Sequence, residues 1–153
     1  MKKLSSLVAA VSLALIGQAN AAQVTASDKA IKLAKETILI DTHIDVPYRI
    51  HNKWADVTKA TSDGDFDYPR AVQGGLNAPF MSIYIPANLE FEGKGKSYQL
   101  ANQLIDSMEA IVQRAPNKFA IADSTADIKE QFKQGKMSIA MGMENGSPIE
   151  GDI

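Results

Sequence analysis

The feature that most constrains this chain is a repeated alternation. Short apolar runs at residues 38–40, 78–85 and 137–143 are separated by stretches with helical spacing. Each run is strand-sized, and each ends in polar or turn-forming residues: Asp41-Thr42-His43, Pro86, and Glu144-Asn145-Gly146. Strands that alternate with helices predict parallel βα units, because parallel neighbours need a crossover that a helix supplies. Leu100, Leu104, Met108, Ile111 and Ala115 recur at three and four, which predicts a long helix stopping before Pro116. Ser27-Asp28 opens a shorter amphipathic helix carrying Ile31, Leu33 and Ala34, with Ile38 near the same face. Ser124 and Asp127 form a capping box ahead of Ile128 and Phe132, with Gly135 just past the helix end. Phe119-Ala120-Ile121 is a further short apolar run. Residues 51–70 are polar, with a turn cluster at 62–65, and read as a long loop after Pro47 ends regular pairing.

The first 21 residues are a different kind of sequence. Lys2 and Lys3 precede an apolar run over residues 7–17, and Ala19-Asn20-Ala21 follows. This pattern predicts a secretory signal peptide cleaved after Ala21 and an exported, periplasmic or secreted protein. The run is too short to cross about 30 Å of hydrocarbon, so no membrane span is expected after cleavage. Residues 22–153 then form one domain carrying 14 basic and 18 acidic side chains, a formal charge of −4. That balance gives no electrostatic footprint for nucleic acid. The chain has no cysteine. Its fold must rest on packing and hydrogen bonds, with or without metal, and thiol catalysis is excluded.

Three residues stand out as metal-ligand types. His43 and Asp45 follow the first apolar run, and residues i and i+2 of a strand point to the same side. Imidazole and carboxylate together suit zinc. Glu144 ends the third run, and in α/β barrels that end of the strands carries the site. Each alone also fits a plain surface turn. Asp41 could orient His43 or simply cap the turn; Tyr84 could line a cleft or pack in the core; His51 has no evident partner. Met137, Met141 and Met143 alternate along the third run, as core side chains do. No phosphate loop and no Gly-x-Ser-x-Gly elbow is present.

Read in order, three blocks resemble the renal (membrane) dipeptidase family of binuclear-zinc metallopeptidases. They are Ile40-Asp41-Thr42-His43-Ile44-Asp45-Val46-Pro47, Tyr68-Pro69-Arg70-Ala71-Val72-Gln73-Gly74-Gly75 with Phe80 to Pro86, and Gly142-Met143-Glu144-Asn145-Gly146-Ser147-Pro148-Ile149. The resemblance implies an α/β fold that is the first three βα units of a (β/α)8 barrel of the TIM type, incomplete as given. It implies zinc bound by His43 and Asp45, with Glu144 bridging to a second zinc, and hydrolysis of small dipeptides by a metal-bridging hydroxide. The family's remaining ligands, including two histidines, fall in later strands that this chain does not supply. Residues 22–153 alone are therefore expected to be inactive, with the helix faces at Leu104, Ile111, Ile128 and Phe132 only partly buried. Where much of the family has Gly-Gly-His-Ser after the glutamate, this chain has Asn145-Gly146-Ser147-Pro148. The competing readings are another amidohydrolase-like hydrolase, against which the His-x-Asp pair argues, and a non-catalytic periplasmic binding protein on the same scaffold. The sequence gives neither the oligomeric state nor the preferred dipeptide.

Overall fold

A computed structural model describes residues 25–151. The expected signal peptide lies outside the described residues. Helix α1 (Asp28–Glu36) leads into strand β1 (Ile40–Ile44), which is followed by two short helices, α2 (Val46–Asn52) and α3 (Tyr68–Gly74). Strand β2 (Ala78–Tyr84), the long helix α4 (Lys96–Arg114), strand β3 (Phe119–Ile121), helix α5 (Thr125–Lys133) and strand β4 (Met137–Glu144) complete the order. The strands make one sheet in the order β1-β2-β4-β3, and every pair is parallel. This is the alternating α/β architecture expected of part of a TIM-like barrel.

Helix α4 covers one face of the sheet. Leu104, Met108 and Ile111 are buried there against the outward residues of the strands, among them Met81, Ile83, Met137 and Ile139. Phe80, Ser82 and Tyr84 of β2 alternate to the other face, in register with Ala140, Gly142 and Glu144 of β4. The capping predictions hold. Ser27 Oγ accepts from Ala30 N, and Ser124 Oγ accepts from Asp127 N while Asp127 Oδ2 takes Asp123 N–H in return. Gly135 sits at φ 69° just past α5. Gly75 ends α3 at φ 85°, and a Cβ there would lie 2.9 Å from the backbone oxygen of Ala34, so this turn demands glycine twice over.

Several expectations are corrected. The sheet has four strands, because residues 119–121 pair with the first half of β4. The first strand is not a buried run at 38–40: it starts at Ile40, contains Asp41-Thr42-His43, and is largely exposed. Most of the stretch read as a long loop, residues 53–67, is irregular, but its two ends belong to α2 and α3. Both have a proline in the first turn, where its missing N–H costs nothing, and this is why Pro47 begins a helix instead of ending order. Helix α1 buries none of its residues, and Ile31 and Leu33 face solvent. Conversely, Leu104, Ile111 and Ile128 are buried and only Phe132 is intermediate, because α4 and α5 close over the four strands. Met137 is a core residue and Met141 packs against the core, whereas Met143 is exposed.

Candidate metal centre

His43, Asp45 and Glu144 meet at one end of the sheet, each offering one ligand atom, all within 4.8 Å of one another. His43 Nε2 lies 3.3 Å from Asp45 Oδ1 and 3.1 Å from Glu144 Oε2. All three side chains are at least partly open to solvent. They lie where two clefts meet. One, of about 890 Å³, is lined by His43, Asp45, Arg49 and Arg70; the other, of about 410 Å³, by Thr42, His43, Ser82 and Glu144.

The local backbone explains how each side chain gets there. In the β1–β2 ladder Asp41 pairs with Pro79 and Ile44 with Met81, so β1 holds one extra residue over the Thr42-His43 step. Such a bulge re-aims a side chain that simple alternation would place elsewhere. Asp41 Oδ1 accepts the backbone N–H of His43 at 3.0 Å and so helps fix the bulge. Of the two roles considered for Asp41, the turn cap is the one seen.

Asp45 is not a strand residue. It is the N-cap of α2, yet its carboxylate makes no capping bond. An N-cap side chain normally accepts from the N2 or N3 amide, and here N2 is Pro47, which has no N–H. The carboxylate is left to turn toward His43. The same-side argument from strand spacing thus reaches the right neighbours through the wrong geometry.

Glu144 closes β4, and its backbone carbonyl accepts from Ile85 N at 3.3 Å. Asn145 follows at φ 76°, in the left-handed region that asparagine tolerates better than most residues. Its side-chain amide donates to Ile85 O at 2.9 Å, and its Oδ1 accepts from Ser147 N. The end of β4 is therefore tied to the end of β2. The position after the glutamate needs positive φ, which both glycine and asparagine supply, so the departure from Gly-Gly leaves the backbone path intact.

The remaining candidates are not part of the cluster, although Tyr84 pairs in register with Glu144. His51 is exposed in the last turn of α2 and belongs to a separate cleft with Tyr48 and Gln99. Tyr84 packs edge-on against Tyr48 with ring centroids 5.1 Å apart. The two arginines of the larger cleft are engaged structurally: Arg49 donates to Phe66 O at 3.1 Å and Arg70 Nε to Asp67 Oδ2 at 2.8 Å. Asp67 is buried, and burial alone would favour its neutral form. Backbone N–H donors from Thr61 and Arg70, with the Arg70 side chain and the Thr61 hydroxyl, outweigh this and hold its carboxyl at about 2. Sequence reasoning missed Ser82, whose buried hydroxyl donates to Glu144 Oε2 at 2.8 Å. The signal was a small polar residue on the inward side of an otherwise apolar strand.

The chain matches the membrane dipeptidase family, peptidase family M19, over residues 27–153, and it belongs to that family. It is 26% identical over 128 residues to dipeptidase verJ of Clonostachys rogersoniana, covering 76% of this chain and 33% of that protein. Its fold is similar to that of PvdM from Pseudomonas aeruginosa, with a TM-score of 0.69 at 23% identity over 82% of this chain and 32% of that one. It is also similar to a metallopeptidase from Rhodobacter sphaeroides solved with a phosphinate mimic of the dipeptide L-Ala-D-Ala. There the TM-score is 0.62 at 18% identity, over 72% of this chain and 39% of that one. The chain spans about a third of the length of the curated relatives it matches.

Proposed function

We propose that this chain is the metal-binding front part of an exported, zinc-dependent dipeptidase built on a complete (β/α)8 barrel. The observation that carries the reading is the convergence of one imidazole and two carboxylates from the ends of two parallel strands. The donor set fits the metal: imidazole nitrogen and carboxylate oxygen are the ligands of catalytic zinc, which keeps a position open for water. His43 and Asp45 would hold one ion, and Glu144 would serve both that ion and a second. When bound, zinc polarises a carbonyl oxygen and brings the pKa of water down to roughly 7. The protein's own part is to fix the three ligands, through the β1 bulge, the uncapped N-cap of α2 and the Asn145 tie. Among the described residues the second ion would have Glu144 alone, and its remaining ligands would come from the strands that complete the barrel. Dipeptides, including those ending in a D-residue, are the proposed substrates, supported by family membership and by the ligand of the Rhodobacter enzyme. Export is supported by residues 1–21 of the sequence, and among the described residues no helix is long and apolar enough to cross a membrane.

The test is Glu144→Gln in the full-length protein, with zinc content and dipeptide hydrolysis measured together. The expected result is lost turnover and fewer than two zincs per chain. An active variant with two zincs overturns the bridging role.

A further inference from the structure

Glu144 is a long side chain on the last residue of a strand, with solvent on one side. Left to itself it would sample many rotamers, and ordering such a side chain costs conformational entropy. Besides its approach to His43, the carboxylate has one contact from a buried side chain that restricts this freedom. Ser82 pairs in register with Gly142, one step before the Tyr84–Glu144 pair on the same face of the sheet. Glu144 folds back along its own strand, and its Oε2 accepts the Ser82 hydroxyl at 2.8 Å. Of the five buried polar or charged residues described, Thr58, Asp67, Ser82, Ser97 and Ser138, Ser82 alone hydrogen-bonds to one of the three clustered side chains. The hydroxyls of Ser97 and Ser138 are buried without a partner, so polar burial in this chain does not of itself produce such a bond.

We propose that Ser82 is the positioning residue for Glu144: its hydroxyl pins Oε2 and sets the plane in which the carboxylate faces the metal site. This rests on the metal reading of that site. The bond fills one lone-pair direction of Oε2, while the same oxygen still lies 3.1 Å from His43 Nε2. Oε1 has no protein partner among the described hydrogen bonds. The carboxylate is thus held in one orientation with both oxygens able to take a cation, which a bridging ligand requires. Serine is the side chain that does this at this position. It is short enough to sit buried at the strand surface, and it carries a single proton that has no better acceptor.

The test uses zinc alone as the probe, titrated into metal-free full-length protein in competition with a chromophoric chelator. Ser82→Ala is expected to weaken zinc binding by about 10- to 100-fold, the range for losing a group that orients a metal ligand. Ser82→Thr, which keeps the hydroxyl, is expected to recover most of the affinity. Melting of the metal-free proteins should be nearly unchanged in Ser82→Ala, because the freed Glu144 oxygen is open to water. Wild-type affinity in Ser82→Ala overturns the proposal. So does a loss matched by reduced metal-free stability and not recovered by Ser82→Thr. Crystal structures of metal-free wild type and Ser82→Ala give a second readout, independent of zinc. A Glu144 carboxylate displaced or spread over several rotamers in the variant supports positioning, and one that stays in place refutes it. If wild type binds no zinc while Glu144 still moves in Ser82→Ala, the metal reading fails and the positioning role stands.

Discussion

Replacing Asp67 with asparagine keeps the size and the helix-capping preference of the side chain but removes its charge. The structure says what that charge does. The carboxylate is almost fully buried and gathers Thr61 N and Arg70 N at 2.9 Å each, with Arg70 Nε at 2.8 Å. These contacts cap α3 and close the loop that precedes it. Against the opposing effect of burial, they also lower the carboxyl from 3.8 to about 2. A tenfold gain in acidity on folding is worth about 1.4 kcal/mol, so the ionised form contributes about 2 kcal/mol to stability at neutral pH. Because the folded value lies below the unfolded one, this stability is present above 3.8 and fades as pH falls through about 2. Urea unfolding of wild type and Asp67→Asn should therefore differ by about 2 kcal/mol at neutral pH, with the gap flat down to about pH 5 and then narrowing. Protonated wild type and the amide become near equivalents at the acid end. A gap under about 0.5 kcal/mol at neutral pH would show that burial cancels the hydrogen bonds. A gap that stays constant through the acid range would show that the variant loses shape rather than charge.

Other outcomes follow from the same structure. Leu104 is fully buried between α4 and the sheet, so Leu104→Ala should lower stability by about 3 kcal/mol, read by chemical denaturation. Asn145→Ala should cost about 2 kcal/mol, since alanine resists positive φ and loses the bond to Ile85, whereas Asn145→Gly should cost less than half as much. Equal effects would remove the conformational part of the argument. Residues 22–153 expressed alone with added zinc should give no dipeptide turnover beside a full-length control, because the cluster among the described residues offers three ligands for two ions. Turnover near that of the control would show the site to be complete.

Much of this was legible in the sequence where one signal acted alone. The period of α4, the capping box of α5 and the apolar run of β2 are each local, and each forms where the pattern says. The misses share a cause: a residue with two opposite meanings. Pro47 can end an element or begin a helix, and only the tertiary setting selects the second. The polar start of β1 hid a strand because an edge strand need not be apolar. At the site, residue types were informative and geometry was not. His43 and Asp45 were picked out by strand alternation, but a bulge and a vacant cap bring them together. Ser82 went unnoticed because nothing local to residue 82 mentions Glu144.

The strand order also fixes a sequence of events in time. The bonds that hold Glu144 and the turn after it reach back 62 and 60 residues, to Ser82 and Ile85. Between those partners lie the residues of α4, β3 and α5, all of which must be made before β4 can dock against β2. Parallel pairing across such separations is slow, since loop closure comes before its reward. During synthesis His43 and Asp45 are made first and stand as a two-donor pair, too few for a firm hold on any ion. The third donor arrives only with β4. The three-donor cluster therefore exists only in a chain that has joined β4 to β2, so any ion it held would report that this pairing is made.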